Sequence, residues 1–332
     1  MRNNLSFPII LAAATIFVTG QTGCAQVEFA KGDKKIDVIV KGKFFTSYLY
    51  QDSLTKPVLF PVKTSNGLAV TRGFPLEKIE GESKDHPHHV GVFFSYGEVS
   101  GDDFWGNTGS PPQIKHVKVT QMKAAEDRGT LSTVMHWIGK DGKKLLEENR
   151  TMVFYAGENE NIIDFDITLT AQEKKVVFTD TKEGMFAIRV AEWLKEQGGS
   201  GAYLSSNGDE KEKNVWGKRA QWVRLQGEKD GQIAGVAIFN HPDSVNYPTY
   251  WHVRGYGLFA ANPLGQHMFQ ETRQVKNPQA LNLNLKPGAQ AFFKFRMIIY
   301  EGARSKEQLD GQFEAYAGQA EKENSGRTIT IP

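Results

Sequence analysis

The stretch that decides the fold is 162–171, which reads I-I-D-F-D-I-T-L-T-A. From Ile163 onward the odd-numbered positions are apolar, and the positions between them are Asp or Thr. Successive side chains of a β-strand point to opposite faces of the sheet. The alternation therefore predicts an antiparallel strand with one buried face and one polar face.

Alternating segments of this kind recur between 34 and 300, separated by turn signals such as S-N-G at 65–67. Only 306–316 has the periodicity of a helix. We find no internal repeat and no change of composition that would mark a domain boundary. The sequence therefore predicts an all-β fold, a single large antiparallel β-sandwich domain over 26–332 with a short C-terminal helix.

The amino terminus predicts an exported protein. Arg2 precedes an apolar run at 7–18, F-P-I-I-L-A-A-A-T-I-F-V, which has the length of a signal-peptide core and is short for a membrane span. Small residues on both sides of Cys24 predict cleavage that removes 1–25. The alternative is a lipid anchor on Cys24. Both place the protein in the periplasm or at the outer-membrane surface, and no later run is long enough for a transmembrane segment.

Composition and missing motifs exclude several classes of function. Cys24 is the only cysteine of the 332 residues, so the domain has no disulfide, cysteine nucleophile or cysteine-bound zinc. Lys and Arg number 40 against 38 Asp and Glu, a balance that predicts no nucleic-acid partner. The phosphate-loop, G-x-G-x-x-G, H-E-x-x-H and G-x-S-x-G motifs are absent, which disfavours nucleotide chemistry and serine-triad hydrolysis.

Three histidines fall within four residues at the start of 85–105, D-H-P-H-H-V-G-V-F-F-S-Y-G-E-V-S-G-D-D-F-W. His86, His88 and His89 precede a predicted strand, and the following loop ends at Trp105. Imidazoles beside an indole suit a polar ligand with an apolar face, such as a sugar, and several histidines also suit a metal ion. The alternative is that the histidines cap a strand by bonding backbone carbonyls.

The segment 180–194 contains two acidic candidates. Glu183 lies in a loop, and the predicted strand that follows places Glu192 on an apolar face, with Arg189 also on that strand. A carboxyl group among apolar neighbours has a raised pKa or is paired with a base, and the first case is typical of general acids and bases. A structural ion pair and a surface charge are the alternatives.

A second concentration of unusual residues follows at 239–254. His241 comes after a predicted strand, and Tyr250, Trp251, His252 and Arg254 lie close together further on. Aromatic rings and guanidinium groups bind amphipathic ligands, so this segment predicts a lined pocket. A packed corner of the sandwich is the alternative.

Four motifs carry a resemblance to a bacterial family: D-H-P-H-H-V-G-V-F-F-S-Y-G, the F-W after it, D-T-K-E-G at 180–184 and Y-G-L-F-A-A-N-P-L-G at 256–265. The chain resembles, over about 34–300, the family of exported proteins labelled methane oxygenase PmoA. The resemblance implies a part in bacterial carbohydrate breakdown and implies no settled reaction.

The chain also resembles, at the level of the fold, the galactose mutarotase-like supersandwich proteins. In that family an early His, a later Asn-His element and a late carboxylate line one sugar pocket. His88 or His89 and then His241 follow the same order, but the position of the late carboxylate falls near Asn262, where there is no acid. The resemblance therefore implies a sugar ligand without an ordinary mutarotase mechanism.

We predict a carbohydrate-active enzyme, an epimerase, lyase or hydrolase, in which His88, His89, His241, Glu183 and Glu192 are the candidate acids and bases. The alternatives are a non-catalytic glycan-binding protein and a His-ligated metal enzyme. No cofactor is predicted, a divalent metal is the rival case, and the oligomeric state is not predicted. The remaining predicted binding residues are His86, Trp105, Tyr250, Trp251, His252, Arg254, Arg189 and Asn262.

Overall fold

A computed structural model describes residues 26–318. The predicted signal peptide and the last fourteen positions of the predicted domain, 319–332, lie outside the described residues. The strands are β1 (Val27–Gly32), β2 (Lys35–Val40), β3 (Lys43–Leu49), β4 (Val58–Leu59), β5 (Val92–Tyr96), β6 (Gln113–Ala124), β7 (Arg128–Ile138), β8 (Lys144–Ala156), β9 (Glu160–Ala171), β10 (Val176–Phe178), β11 (Gly184–Arg189), β12 (Ala202–Ser205), β13 (Trp222–Lys229), β14 (Gln232–Asn240), β15 (Tyr250–Val253), β16 (Leu258–Asn262), β17 (Leu283–Leu285) and β18 (Gln290–Glu301). The helices are a 3-10 turn (Glu192–Leu194), α1 (Glu212–Val215), α2 (Gln266–Thr272) and α3 (Lys306–Gly318).

Two eight-stranded antiparallel sheets form the body of the protein. The first sheet has the order β1-β2-β3-β4-β5-β11-β16-β15, and the second has the order β12-β13-β14-β18-β9-β8-β7-β6. The main core lies between the two sheets, because its buried residues come from strands of both. The prediction of a large antiparallel sandwich with a C-terminal helix is confirmed.

Strand β9 illustrates why the chain forms this sandwich. Its residues alternate between buried and half-buried along the whole strand, with the apolar positions of 163–171 inward. It pairs with β8 on one side and β18 on the other, so it lies well inside the second sheet. Removing this apolar face from water is the main stabilising contribution of such a strand.

The first sheet also buries its outer face, which is the face turned away from the second sheet. Phe93 of β5, Ala187 of β11 and Ala260 of β16 alternate with core residues, and they pack in a separate apolar cluster with Trp105. The long connections 50–57 and 60–91 cover this face. Gly91 permits their close approach, since its φ is +56° and a Cβ there would lie 2.3 Å from the Leu59 carbonyl oxygen.

Several local predictions differ from the structure. Strand β12 and helix α1, both within 197–217, were not predicted. Helix α2 was not predicted. Helix α3 packs through Phe313 and Tyr316 on the outer face of the second sheet. Within 26–318, no helix has the length and apolar character needed to cross a membrane.

Candidate functional site

The histidine stretch forms a turn that one carboxylate holds in place. The Oδ1 atom of Asp85 accepts hydrogen bonds from Arg72 Nη1 at 2.7 Å and from Arg189 Nη2 at 2.6 Å. Its Oδ2 atom lies 2.8 Å from Nδ1 of His86. Burial acts to raise the pKa of Asp85, but these donors and the two arginine charges outweigh it and lower that pKa. The carboxylate is therefore ionised and accepts the hydrogen bond from Nδ1–H of His86.

Four aromatic rings then form a stack that runs from this turn to the sheet. The Tyr256 and His86 rings are 4.7 Å apart and within 4° of parallel. The His86 and His89 rings are 5.0 Å apart and within 1° of parallel, and His89 continues onto Phe93 of β5 at 5.9 Å. The stack fixes the orientation of both imidazoles.

His88 branches from the stack and lines a cavity. Its ring lies 4.3 Å from the His89 ring and 5.7 Å from the His86 ring. Burial is the main reason that the pKa of His88 falls to about 4, so the imidazole is neutral at pH 7. We call the space beside it the histidine cavity. It has a volume of about 400 Å³ and is lined by Ser53, Leu54, Thr55, Lys56, Val58, Pro75, Leu76, Pro87, His88, Val90, Asn107 and Thr108.

Lys56 is a buried cation in the wall of this cavity. Only 3% of the residue is exposed, and its Nζ donates to the carbonyl oxygens of Phe104 and Trp105, each at 3.1 Å, and to Asn107 Oδ1 at 3.4 Å. No carboxylate of the described residues forms an ion pair with it. Burial lowers the pKa of Lys56 to about 7, and the nearby charge of Asp103 opposes this shift only in part.

Behind His88, two buried ring groups have polar atoms without a partner. His89 is 1% exposed, and neither of its ring nitrogens has a hydrogen-bond partner among residues 26–318. The Nε1 atom of Trp105 is likewise unpartnered, and the two rings are 5.5 Å apart, edge to face. Burial lowers the pKa of His89 well below its usual value. Buried polar atoms ordinarily have a hydrogen-bond partner, and a ligand or a water molecule in the site would supply one here.

Two arginines contact the outer end of the ring stack. The Arg189 guanidinium carbon lies 4.7 Å from the centre of the Tyr256 ring, and that of Arg254 lies 5.5 Å from it. Arg254 also forms an ion pair with Glu212, with its Nε 3.0 Å from Oε1. The predicted site residues His86, His88, His89, Trp105, Arg189 and Arg254 thus lie in one region.

Two further predicted residues shape the neighbouring loop. His252 is buried, and its Nδ1 donates to the Lys182 carbonyl oxygen at 2.8 Å. Asn262 donates to the Thr181 carbonyl oxygen at 2.9 Å. Glu183 forms an ion pair with the Lys182 side chain. The histidine and the asparagine therefore position the loop 181–183, and Glu183 is a paired charge.

Glu192 does not lie on an apolar strand face as predicted, because β11 ends at Arg189 and Glu192 begins the 3-10 turn. Its Oε1 accepts hydrogen bonds from the backbone N–H and the hydroxyl of Ser83, and its Oε2 pairs with Lys195. Burial acts to raise the pKa of Glu192, but these hydrogen bonds lower it overall. The structural ion pair is therefore the arrangement observed.

Three predicted residues lie away from the histidine cavity. His241 packs against Tyr316 of α3 on the outer side of the second sheet, so the sandwich separates it from His88. Trp251 lies fully buried in the core between the sheets and cannot stack on a ligand. Tyr250 stacks on Phe269 of α2, and its hydroxyl accepts a hydrogen bond from Gln270.

Asp85, Arg72, Tyr256 and Lys56 belong to the region but were not predicted. Asp85 and Tyr256 lie inside the motifs that carry the family resemblance, so those motifs could have indicated that the two residues belong to the site. Arg72 and Lys56 lie in connections without local periodicity, and the sequence gives no sign of what they contact.

The histidines and carboxylates of this region do not fit a metal centre. Among residues 26–318, no group of three His, Cys, Asp or Glu side chains is arranged to hold a metal ion. The parallel rings of His86 and His89 stack face to face, whereas ligands of one ion must direct their nitrogens to a common point.

The solved structures to which the chain is similar include an alpha-galactosidase and galactose mutarotase-like proteins. An alpha-galactosidase of family GH36, AgaB from Geobacillus stearothermophilus, is 10% identical, with 84% of this chain and 41% of that chain covered and a TM-score of 0.42. A galactose mutarotase-like protein from Lactobacillus casei is 8% identical, with 83% and 100% covered and a TM-score of 0.35. A galactose mutarotase related enzyme from Lactobacillus acidophilus is 11% identical, with 83% and 97% covered and a TM-score of 0.28.

This chain spans about two fifths of the length of the alpha-galactosidase. Fold similarity at these identities does not carry the roles of residues from those proteins to this chain. No curated protein matches the sequence. The resemblance to the PmoA-labelled family stays a prediction. A family model does match residues 35–314, and it names no reaction. The chain belongs to this family, the family of unknown function DUF6807.

Proposed function

We propose that the protein is an exported carbohydrate-active enzyme that abstracts a proton from a sugar or glycoside, as an epimerase or a lyase does. The observation that carries the proposal is the histidine cavity, where a neutral His88 adjoins two oriented imidazoles. Hydroxyl and amide side chains of the lining, such as Thr55 and Asn107, suit sugar hydroxyl groups. A volume of about 400 Å³ is within the range of small-molecule sites.

The lining favours proton abstraction over hydrolysis. Glycoside hydrolysis ordinarily needs two carboxyl groups on either side of the scissile bond. None of the twelve residues that line the cavity is Asp or Glu. We therefore do not propose hydrolysis, which the sequence had left open beside epimerisation and elimination.

The proposal gives a role to His88 and Lys56 in the cavity and to the charged groups beside it. Neutral His88 accepts the proton, since a base must be unprotonated at the working pH. The Lys56 ammonium stabilises the negative charge that develops on the substrate oxygen. A fixed cation interacts strongly with such a charge where water is excluded. Asp85 and His86 orient the ring stack behind His88, and Arg189 holds Asp85.

Replacing His88 by Gln should lower turnover by about 100-fold or more, because general base catalysis contributes at least that much. The substitution keeps a polar side chain of similar reach in the cavity, so binding should change little. We would screen sugars and oligosaccharides in D₂O, following solvent deuterium incorporation and unsaturated products by NMR. The matched control is His267→Gln on α2, whose side chain is 39% exposed.

The screen separates the proposal from its alternatives. Turnover by the control variant His267→Gln, together with loss of turnover in His88→Gln, supports the proposal. Equal turnover by both variants would remove His88 from the mechanism. Saccharide binding without turnover in any variant would make the protein a glycan-binding protein, and no binding at all would refute a carbohydrate function.

The rate should depend on pH on both sides of neutrality. His88 must be neutral, so kcat/KM should fall as the pH drops toward about 4, the pKa of that imidazole. Lys56 must be charged, so kcat/KM should fall as the pH rises above about 7. A pH–rate profile measures both limbs. Lys56→Arg should abolish the alkaline limb, because a guanidinium group stays charged, and an unchanged alkaline limb would refute the role of Lys56.

A further inference from the structure

A second cavity adjoins the histidine cavity, and we call it the tyrosine cavity. It has a volume of about 360 Å³ and shares the wall residues Leu54 and Lys56 with the histidine cavity. Its lining residues are Lys34, Tyr50, Gln51, Asp52, Leu54, Lys56, Pro57, Gln113, Ile114, Lys115 and His116. The two spaces therefore lie on either side of one short segment, 54–56.

An aromatic pair gives the tyrosine cavity a surface suited to a sugar ring. The Tyr50 and His116 rings are 4.1 Å apart, and Tyr50 is only half-buried. The Tyr48 hydroxyl lies 3.0 Å from Nδ1 of His116 and fixes that ring. Burial lowers the pKa of His116 to about 4, so the ring is neutral. An uncharged aromatic surface of this kind packs against the C–H face of a sugar.

Polar side chains around the aromatic pair match sugar hydroxyl groups. Gln51 and Gln113 each supply an amide donor and acceptor, and Asp52 forms an ion pair with Lys34 at the rim. The tyrosine cavity thus combines an apolar platform with orienting polar groups, which is the usual composition of a small-molecule site.

We infer that the tyrosine cavity is a second subsite, and that the site takes a saccharide of at least two units laid across the segment 54–56. One unit occupies the histidine cavity beside His88, where the chemistry occurs. The next unit packs on Tyr50. The inference rests on the proposed function, since it extends the same site.

The test is the dependence of affinity on saccharide length. The probes are ladders of one to four units from partial acid hydrolysis of pectin, xylan and cellulose, and binding to the purified protein is measured by saturation-transfer NMR. Dissociation constants should drop by about tenfold or more from one unit to two. Tyr50→Ala should weaken binding of the disaccharide by about tenfold and leave binding of the monosaccharide within twofold, because only the longer ligand reaches the ring.

Three further variants keep the result interpretable. Tyr50→Phe retains the ring and should retain affinity for the disaccharide. Phe44→Ala removes an exposed ring on β3, outside the tyrosine cavity, and should leave the affinity for both ligands unchanged. If Tyr50→Ala does not fold, loss of disaccharide affinity in Gln113→Ala serves as the second readout. Equal affinity for one and two units, unaffected by the substitutions at Tyr50 and Gln113, would refute the second subsite while leaving the proposed function intact. If no saccharide of any length from the three ladders binds, both the second subsite and the proposed function are refuted.

Discussion

Replacing Glu148 by Gln should destabilise the protein by about 3–5 kcal/mol, because it removes one partner of a buried ion pair. Glu148 is fully buried, and its Oε1 accepts a hydrogen bond from Arg150 Nε at 2.7 Å. Its Oε2 accepts one from Trp137 Nε1 at 2.8 Å. The glutamine has one acceptor oxygen in place of two and directs an NH₂ group at a donor. The charge of Arg150, which is 4% exposed, then lacks a counter-charge inside the sandwich.

Equilibrium unfolding in urea measures this loss, and an exposed pair supplies the control. Asp127 and Arg128 form an ion pair with side chains that are 64% and 51% exposed, so Asp127→Asn should change stability by about 0.5 kcal/mol or less. A loss as small in Glu148→Gln would contradict the expectation.

A double variant separates the buried charge from the loss of packing. Glu148→Leu alone leaves Arg150 charged and unpaired. Adding Arg150→Met removes that charge, so the double variant should recover a substantial part of the stability. Further loss in the double variant would mean that Arg150 stabilises the fold through other contacts, such as its position 5.8 Å from the Phe94 ring.

The parts of the fold that could be predicted are those in which the pattern is local. Strand β9 and helix α3 each carry their period over ten or more residues, so alternation and helical spacing identified them. Helix α1 has four residues and α2 has seven, which is two turns or fewer. A period cannot be recognised over so short a segment.

The candidate site shows the same division. His86, His88 and His89 are adjacent in sequence, so their grouping was visible, whereas their contacts with Arg72, Arg189 and Tyr256 arise only when distant segments pack together. Alternation along a strand does not tell which of its two faces is turned toward the second sheet. That is why Trp251 was predicted in a pocket and lies in the core. The fold resemblance implied one pocket for His88 and His241, but His241 lies under α3.

Lys56 combines two opposing effects, and the balance between them can be measured. Three oxygen acceptors around Nζ favour the ammonium form, with each hydrogen bond to a charged group worth about 1.5–3 kcal/mol. Removing the ammonium from water costs several kcal/mol and favours the neutral amine. The lowered pKa of about 7 means that burial outweighs the hydrogen bonds. The folded protein therefore releases this proton well below the value of about 10.4 for an unfolded lysine.

The sign of the resulting pH dependence follows from proton counting. Between about pH 7 and 10, the unfolded chain holds the proton of Lys56 and the folded protein does not, so stability rises with pH in this window. The destabilising contribution is fully present below pH 7 and disappears above about pH 10. Lys56→Met lacks this group. The free energy of unfolding of the native protein, relative to that of the variant, should therefore rise by up to about 1.4 kcal/mol per pH unit, or about 3 kcal/mol between pH 7 and 9.5.

Urea unfolding of both proteins across this range gives the difference directly, because other titrating groups cancel between them. Lys140→Met, at a side chain that is 63% exposed, should show no such trend. A difference that stays constant from pH 7 to 9.5 would mean that the three acceptors keep Lys56 charged throughout. The alkaline limb of the rate profile would then have to come from another group, and the cation in the cavity wall would be permanent. A rising difference would instead identify Lys56 as a group that changes its charge near neutral pH at the edge of both cavities.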